Sequence, residues 1–452
     1  MEKKDQQFNI NKVFIILSIL LPISFCIGQA AVSIYFFFCF LIFLYFFFKN
    51  NNFFLNNNLI TISLVIFYLF IITANIFSIG FVKIFDKSLL YLRFLFFFLL
   101  GKLAFQYIVK KFNNYEFFYF LFLSILIFLV LIDGYYQYFN ITKENIFGFK
   151  PLPEHFQRLT GVFGKEPIIG SFLFHIGFPA IIFLISYISD KVSNLFYNFF
   201  LISVIIFSYL TLILISGERT SFLMALLGFS IVIILFQKNK IKICLSFVFF
   251  ILFFYLMILY HPYVKQRYSD FISETTLNRL FNTKNFQDNS NNKTFFDSQW
   301  GAHYLTAFEM FKSKPFFGIG VGQFRNNCSD KKYDNIKSSS KDIRCSSHPH
   351  NIYLEIFAET GVFTGISFLI FIAFFFYKII KIIFSKNLKK IKNTIQYNVF
   401  LSFFAVSFII LFPFKATGSF FSNFYGSFIW YNLTIVYIYL LYFQNLLKRK
   451  YR

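Results

Sequence analysis

Long apolar blocks recur along this chain and restrict the folds that are open to it. Each block runs for roughly 17–23 residues, which in a helix is long enough to cross a hydrocarbon layer about 30 Å thick. Backbone groups in lipid must form their hydrogen bonds within the segment, so such blocks predict membrane-spanning helices. Only 14% of the 452 residues are charged, against about 25% in soluble domains. The sequence therefore predicts an all-α polytopic membrane protein.

About twelve spans can be placed along the chain. Residues 1–260 hold about nine of them and residues 362–452 about three. The segment 261–361 between them is expected to form one large loop outside the membrane that contains short helices. The predicted spans cover residues 13–28, 32–48, 59–75, 89–108, 116–137, 168–188, 195–215, 220–236, 243–260, 362–384, 397–413 and 427–443.

Basic residues between the spans predict the orientation of the chain. The net charge is +23, but the cations lie mostly in short segments, as they do in the cytoplasmic loops of membrane proteins. We therefore attribute the charge to topology and not to a nucleic-acid partner. Both termini are therefore predicted in the cytoplasm. The basic residues that indicate this are Lys3 and Lys4, the run from Lys378 to Lys392 and the tail from Lys448. The segments predicted on the opposite face are 138–167, 216–219, 261–361 and 414–426.

The large loop contains features of a folded structure. It has 13 Lys or Arg and 10 Asp or Glu, and long loops cross a membrane largely regardless of charge. Residues 303–324 predict a short helix that Pro315 ends, followed by turns at Gly318, Gly320 and Gly322. These glycines do not form a phosphate loop, because no Lys-Ser/Thr pair follows them.

Two cysteines, Cys328 and Cys345, lie in this loop. If the cell is a Gram-negative bacterium, the opposite face is the oxidising periplasm, where the pair can form a disulfide. The protein would then lie in the inner membrane. The alternative is two free thiols in a loop.

The segment SSHPHNIYLEIFAETG, residues 346–361, is polar where its surroundings are apolar. Asn351 is a suitable cap for a helix that begins at about Ile352, with Glu355 and Glu359 on one face and Gly361 ending or bending it. The segment is either such a capped interfacial helix with incidental histidines or part of an active site.

Histidines and arginines supply the candidate chemistry. His348 and His350 are common types of metal ligand, but no HExxH, zinc-spaced Cys pair or Asp-x-Asp accompanies them. We therefore expect no metal. Arg158 and Arg219 are predicted near the external ends of spans. Each either reaches to a lipid headgroup or binds an anion such as a diphosphate, which the guanidinium group matches well.

Three segments resemble a known family. HPHNIYLEIFAETGVFTG resembles the signature of the O-antigen ligase and O-antigen polymerase superfamily of envelope glycosyltransferases. His350, Asn351, Gly361 and Thr364 meet the ligase pattern His-[Asn/Ser/Gln]-x9-Gly-x2-[Gly/Thr/Tyr]. RLTGVFGKEPIIG, which begins at Arg158, is similar to the family's Arg-Leu-x-Gly-x-Phe-x-x-x-Pro stretch. SGERTSF is similar to its Ser-x-x-Arg-Thr segment.

The resemblance implies a transferase that moves glycan from undecaprenyl diphosphate to an acceptor hydroxyl. The acceptor is lipid A–core in ligases and another lipid-linked repeat in polymerases. The implied roles are His350 as the essential histidine and Arg158 and Arg219 as ligands of the diphosphate. His348, Asn351 and Glu355 are candidates for supporting roles.

Part of the family's arginine pattern is altered here. Arg267, Arg279 and Arg325 in the large loop are alternatives to Arg219 as the second diphosphate ligand. Family members often carry an arginine shortly before the loop tryptophan, whereas the residues before Trp300 are DSQ. That role is therefore missing or moved.

The chemistry of this reaction suits the residues present. A histidine has a pKa range suited to taking a proton from a sugar hydroxyl, and positioned cations stabilise a leaving diphosphate. We expect one direct displacement with inversion at the anomeric carbon and no cofactor. The readings left open are ligase, polymerase and protein O-oligosaccharyltransferase, and, from another class, a transporter or flippase. Charged groups at the membrane midplane would favour the last, and the predicted spans carry few.

Overall fold

The computed structural model describes residues 16–49, 58–80, 87–108, 112–152, 158–235, 240–260, 262, 264–266, 268, 295–338, 340–385, 391 and 394–450. Lys3, Lys4, Arg267, Arg279 and most of the basic run up to Lys392, all used in the sequence predictions, lie outside these ranges.

The described residues form helices and contain no strand. Nine of these helices are long and apolar enough to cross a membrane, and three further apolar helices have 10–17 residues. Each predicted span coincides with one of these helices, and the all-α polytopic fold is confirmed. The helices are α1 (Ile16–Ile27), α2 (Gln29–Lys49), α3 (Leu59–Ile79), α4 (Ser88–Ile108), α5 (Phe112–Phe139), α6 (Ile169–Lys191), α7 (Leu195–Ile215), α8 (Arg219–Leu235), α9 (Lys240–Tyr260), α10 (Gln299–Ser313), α11 (Ile352–Ile383), α12 (Ile395–Ile410) and α13 (Asn423–Lys450).

Polar caps mark where the apolar helices begin. The side chain of Asn58 accepts from the backbone N–H of Ile60 at the start of α3, and Asn194 accepts from Phe196 and Tyr197 at the start of α7. These contacts satisfy amide groups that lack partners within the helix. A single polar residue before each of these two apolar blocks thus fixes the first turn.

Four segments predicted to share one face do meet at one end of the bundle. The Leu159 N–H donates to the Ser216 carbonyl at 3.2 Å, and the Thr417 N–H donates to the His350 carbonyl at 2.8 Å. We call this the site end. That it faces the periplasm stays a prediction.

Helix α11 is longer than the predicted span 362–384, because it continues the short helix that Asn351 caps. The two parts meet at a kink at Gly361, which has φ 76° and ψ −175°. A Cβ atom here would overlap the carbonyl oxygen of Phe316, so the close approach of the two backbones requires glycine. The predicted bend at Gly361 is confirmed, and the predicted boundary at residue 362 is a kink within one helix.

The glycine-rich turns after α10 fill the space that this kink opens. Gly318, Gly320 and Gly322 all have positive φ, as expected for turns. The N–H groups of Ile319 and Gly320 donate to the carbonyls of Ala358 and Glu359 at 3.0 and 2.9 Å. The turns therefore supply the hydrogen bonds that α11 loses at its kink.

Candidate active site

His350 lies at the centre of an aromatic cluster at the site end. It has φ 58°, an uncommon conformation for a residue other than glycine. Its ring centroid lies 4.1 Å from that of His348, 4.7 Å from that of Trp300 and 5.3 Å from that of His303. The N–H of Thr417 donates to the His350 carbonyl at 2.8 Å. Strained backbone held by its surroundings is typical of functional sites.

His348 is occupied by hydrogen bonds on both ring nitrogens. Nδ1 lies 2.8 Å from the Ser347 hydroxyl, and Nε2 lies 3.0 Å from the Thr417 carbonyl oxygen. Because a carbonyl only accepts, Nε2 carries the proton and Nδ1 accepts from serine. His348 is therefore held in place as a packing partner of His350 and is less available as a base.

The three histidines share a tendency to stay neutral. Burial, together with the nearby His348 and His303, lowers the pKa of His350 to about 3, although the Thr417 backbone opposes the shift. Burial also lowers the pKa of His348 and of His303. At neutral pH the ring of His350 is therefore uncharged and able to accept a proton.

His303 on α10 is a residue that the sequence analysis missed. Its side chain is fully buried, and neither ring nitrogen makes a hydrogen bond of normal geometry among the described residues, although the Ile343 backbone is close enough to raise its pKa in part. One feature of the sequence could have pointed to His303. It follows Trp300 by three residues, so the two side chains lie on the same face of a helix.

Two carboxylates follow residues 348–351, which we call the HPHN segment, and both accept hydrogen bonds from loop residues. Glu355 accepts from the Ser419 hydroxyl at 2.5 Å and from the Phe420 N–H at 2.7 Å. Glu359 accepts from the N–H groups of Gly322 and Phe324 at 2.5 and 3.0 Å. Both side chains are 1% exposed. Their oxygens therefore hold loop backbone in place around the histidines.

Asn351 combines the predicted cap with a tertiary contact. Its side-chain oxygen accepts from the N–H groups of Tyr353 and Leu354, which confirms the predicted cap. Its amide donates to the carbonyl of Pro413 at 2.7 Å. This bond, the bond from Thr417 to the His350 carbonyl and the bonds to Glu355 together hold residues 413–420 in place. We call these residues the α12–α13 connection.

Arg158 lies beside the turn that precedes Arg219. Its Nη2 donates to the Pro167 carbonyl at 3.1 Å, while its Nε is buried and has no partner among the described residues. Arg219 is the half-buried first residue of α8. The structure therefore brings the two predicted arginine segments together.

Glu218 is the local counter-charge in this turn. It accepts from the N–H groups of Gly170 and Ser171 at 2.6 and 3.0 Å, and from the hydroxyls of Ser171 and Ser221. Burial raises its pKa, and the charge of Arg158 and these hydrogen bonds oppose that shift. Arg158 is thus held near one carboxylate, which itself is already well satisfied by other donors.

Lys415, also missed from the sequence, lies in the α12–α13 connection and contacts α8. Its ammonium group lies 3.0 Å from the Met224 sulfur on α8 and 3.5 Å from the Tyr425 hydroxyl. Both are weak partners for a cation, and burial lowers the pKa of Lys415 to about 7. Thr417, two residues on, contacts both His348 and His350. The α12–α13 connection therefore presents a cation close to α8 and a backbone contact to the histidines.

Among the loop arginines, Arg325 is exposed and lies close enough to His348 for its charge to contribute to the lowered pKa of that histidine. A disulfide joins Cys328 to Cys345, with a Cα–Cα distance of 5.2 Å. Arg344 donates to the Cys328 carbonyl at 2.8 Å. The disulfide and this hydrogen bond thus hold the loop in place just before the histidines.

In the described part of the chain, no group of three His, Cys, Asp or Glu is arranged to hold a metal ion.

Residues 201–369 match the family model described as O-antigen ligase. The predicted resemblance to the O-antigen ligase superfamily is confirmed. The matched region contains Arg219, Trp300 and His350, and it leaves Arg158 and Lys415 outside. No curated protein matches the chain.

The match to the O-antigen ligase model supports a glycan-transferring function of ligase or polymerase type. Together with the apolar helices, it points to a multi-pass membrane protein that handles lipid-linked glycan. Within the matched residues, the aromatic cluster contains His350, and the turn at the start of α8 contains Arg219.

Proposed function

We propose that the protein is an O-antigen ligase: an inverting, metal-independent glycosyltransferase of the bacterial inner membrane, with its site on the periplasmic face. It moves O-antigen or a related glycan from undecaprenyl diphosphate to a hydroxyl of lipid A–core. The observation that carries this proposal is that one family match spans both the Arg219 turn and the strained, neutral His350.

The reaction is a single displacement at the anomeric carbon. The acceptor oxygen attacks this carbon from the face opposite the diphosphate, and His350 takes the proton of the hydroxyl. The new C–O bond forms as the bond from the anomeric carbon to the diphosphate oxygen breaks, and the electron pair leaves with the diphosphate. Inversion follows from the single displacement.

Positive groups stabilise the charge that develops on the leaving diphosphate. Arg158 and Arg219 are the proposed ligands, and Lys415 is a third, since it approaches α8 with only weak partners. The bound diphosphate in turn favours the protonated form of His350 and raises its pKa from the low value of the free site. Donor binding would thus strengthen the base that the reaction needs.

An apolar cavity beside Arg158 fits the lipid part of such a donor. It has a volume of about 570 Å³ and lies between α1, α5 and α13. Its lining includes Glu166 and Ile168, which flank the Pro167 that Arg158 contacts. Aromatic and aliphatic walls next to a cation suit a polyprenyl chain that carries a diphosphate. The lining aromatics are Phe25, Phe147, Phe149, Phe163 and Phe424.

Reconstitution with undecaprenyl-diphosphate-linked glycan tests the proposal. Vesicles containing the protein receive this donor with lipid A–core, or with more donor, in the presence and absence of EDTA. Glycan on lipid A–core supports the ligase, and loss of transfer on chelation contradicts the metal-independent mechanism. NMR of the product that shows retention at the anomeric carbon contradicts the single displacement.

The same assay separates the alternatives. Lengthening of the donor identifies a polymerase, and transfer to Ser or Thr identifies a protein O-oligosaccharyltransferase. His350→Ala is expected to abolish transfer to any of these acceptors. If His350→Ala leaves transfer intact while lipid-linked donor no longer reaches the outer face, the protein is a transporter or flippase.

A further inference from the structure

A second cavity, lined by lysine, amide and apolar side chains, lies at the end of the bundle opposite the site. Helix α3 has 21 residues, which is about 30 Å. Its last turn contacts Gly318 at the site end through Ser78, whereas Asn58, at its first turn, lines the second cavity. The cavity has a volume of about 530 Å³, within the range of about 300–1,000 Å³ for ligand pockets. We call it the basic cavity.

Three lysines from three helices line the basic cavity. Lys102 comes from α4, Lys378 from α11 and Lys448 from α13. Lys102 is 5% exposed, Lys378 is half-buried and Lys448 is exposed, so the positive charge runs from the interior of the cavity to its mouth. None of the described residues that line it is acidic.

This convergence differs from ordinary lysines at helix ends. Lysines that mark membrane orientation extend separately into the headgroup region. Here three of them, from three helices, line one cavity, and an anion in it would offset their positive charge. Amide side chains complete the lining and provide further N–H donors for an oxygen-rich anion. They belong to Asn58, Gln106, Gln444 and Asn445.

The apolar part of the lining indicates what carries the anion. Leu59, Phe105 and Leu441 share the cavity with the lysines. An inorganic anion gains no binding energy from apolar side chains. A lipid, in contrast, carries its phosphate close to acyl chains that such side chains can contact. Basic pockets between membrane helices on the cytoplasmic side are suited to anionic lipid headgroups.

We propose that the basic cavity binds the phosphate headgroup of an anionic glycerophospholipid in the leaflet opposite the active site. Lys102, Lys378 and Lys448 contact the phosphate oxygens, and Leu59, Phe105 and Leu441 contact the start of the acyl chains. The lipid then links α4, α11 and α13 at this end of the bundle. This inference is independent of the reaction at the site end.

Titration of the delipidated, full-length protein tests the proposal. Dihexanoyl phosphatidylglycerol, dihexanoyl phosphatidylcholine and inorganic phosphate are added separately, and the thermal unfolding temperature is measured. The triple variant Lys102→Gln, Lys378→Gln, Lys448→Gln removes the charge of the cavity. Lys331→Gln, Lys337→Gln, Lys341→Gln removes the same charge from exposed positions of the large loop and is the matched control.

We expect phosphatidylglycerol to raise the unfolding temperature of the wild type and the control, with at least a roughly tenfold weaker apparent affinity in the triple variant. Stabilisation by phosphatidylglycerol but not by phosphate supports a lipid ligand. Equal stabilisation by phosphate overturns the lipid assignment and leaves a soluble anion in its place. Equal effects of the two lipids, or equal weakening in both triple variants, overturn the site.

Single variants keep the test decisive if the triple variant does not fold. Lys448→Gln changes an exposed side chain and Lys378→Gln a half-buried one, so both are expected to fold. Each should weaken phosphatidylglycerol binding, while Lys341→Gln should not. Unchanged binding in both single variants contradicts the proposal. Glycan transfer, measured in parallel, reports separately on the site end.

Discussion

At the scale of single residues, the neutral state of His350 has a consequence for the pH dependence of transfer. A base acts in its unprotonated form, and kcat/KM reports the free enzyme. Because the pKa of His350 is lowered to about 3, the active form persists as the pH falls. We expect no loss of kcat/KM between pH 7 and about pH 5, well below the usual histidine pKa of about 6.5. A half-loss of kcat/KM near pH 6.5 would contradict this assignment.

His303 provides a variant that tests the same environment. It lies against His350, and its charge is one of the causes that lower the pKa of His350. His303→Phe keeps a buried aromatic ring and removes the titratable group. We expect the acid limb of kcat/KM to move to higher pH, whereas a role in packing alone would leave the limb in place.

Lys415 is the residue whose charge we expect to matter for donor binding. Lys415→Met keeps an unbranched side chain against Met224 and removes the cation. The expected result is a ten- to hundredfold lower kcat/KM, since a charge-assisted contact contributes about 1.5–3 kcal/mol. Lys415→Arg should retain most activity, and Lys341→Met, at an exposed loop position, is the control. Equal activity of Lys415→Met and wild type would remove Lys415 from the site.

At the scale of elements, the kink of α11 depends on one glycine. Gly361→Ala places a Cβ against the Phe316 carbonyl and in a backbone conformation that favours glycine. We expect a loss of about 3 kcal/mol or more in the free energy of unfolding, since the backbone strain alone costs about 1–3 kcal/mol. Gly148→Ala is the matched control, because Gly148 has φ 78° and open space around it. Similar unfolding temperatures for the two variants would show that the close approach contributes nothing.

The disulfide ties two ends of a surface segment that precedes the histidines. Cys328 and Cys345 are 17 residues apart, and closing a loop of this size is worth about 3 kcal/mol in the chain-entropy account. Cys328→Ser should abolish the mobility difference between reduced and non-reduced protein and lower the unfolding temperature. The same mobility difference in Cys328→Ser would rule out this pairing.

At the scale of the whole molecule, the sequence predicts the features that depend on residues close together in the chain. Apolar blocks locate the helices, and the cap at Asn351 and the bend at Gly361 follow from local backbone requirements. Lys415 could not be found in this way, and the spacing of His303 from Trp300 does not show that His303 lies against His350. Their roles arise from packing of the α12–α13 connection and α10 against the HPHN segment, between residues distant in the chain. Glu355 and Glu359 show the same limit, since only the fold reveals that loop backbone uses their oxygens.

The orientation of the molecule is the property on which the proposed chemistry depends most. The site end and the basic cavity lie at opposite ends of the bundle. If basic segments stay in the cytoplasm, the site end faces the periplasm and the basic cavity faces the cytoplasm. Lys150→Cys places an exposed thiol in the connection after α5, and Lys448→Cys places one at the mouth of the basic cavity. A membrane-impermeant thiol reagent should label only the first in cells whose inner membrane is intact, in a background without Cys26, Cys39 and Cys244. Labelling of Lys448→Cys alone would place His350 in the cytoplasm and exclude a periplasmic transferase.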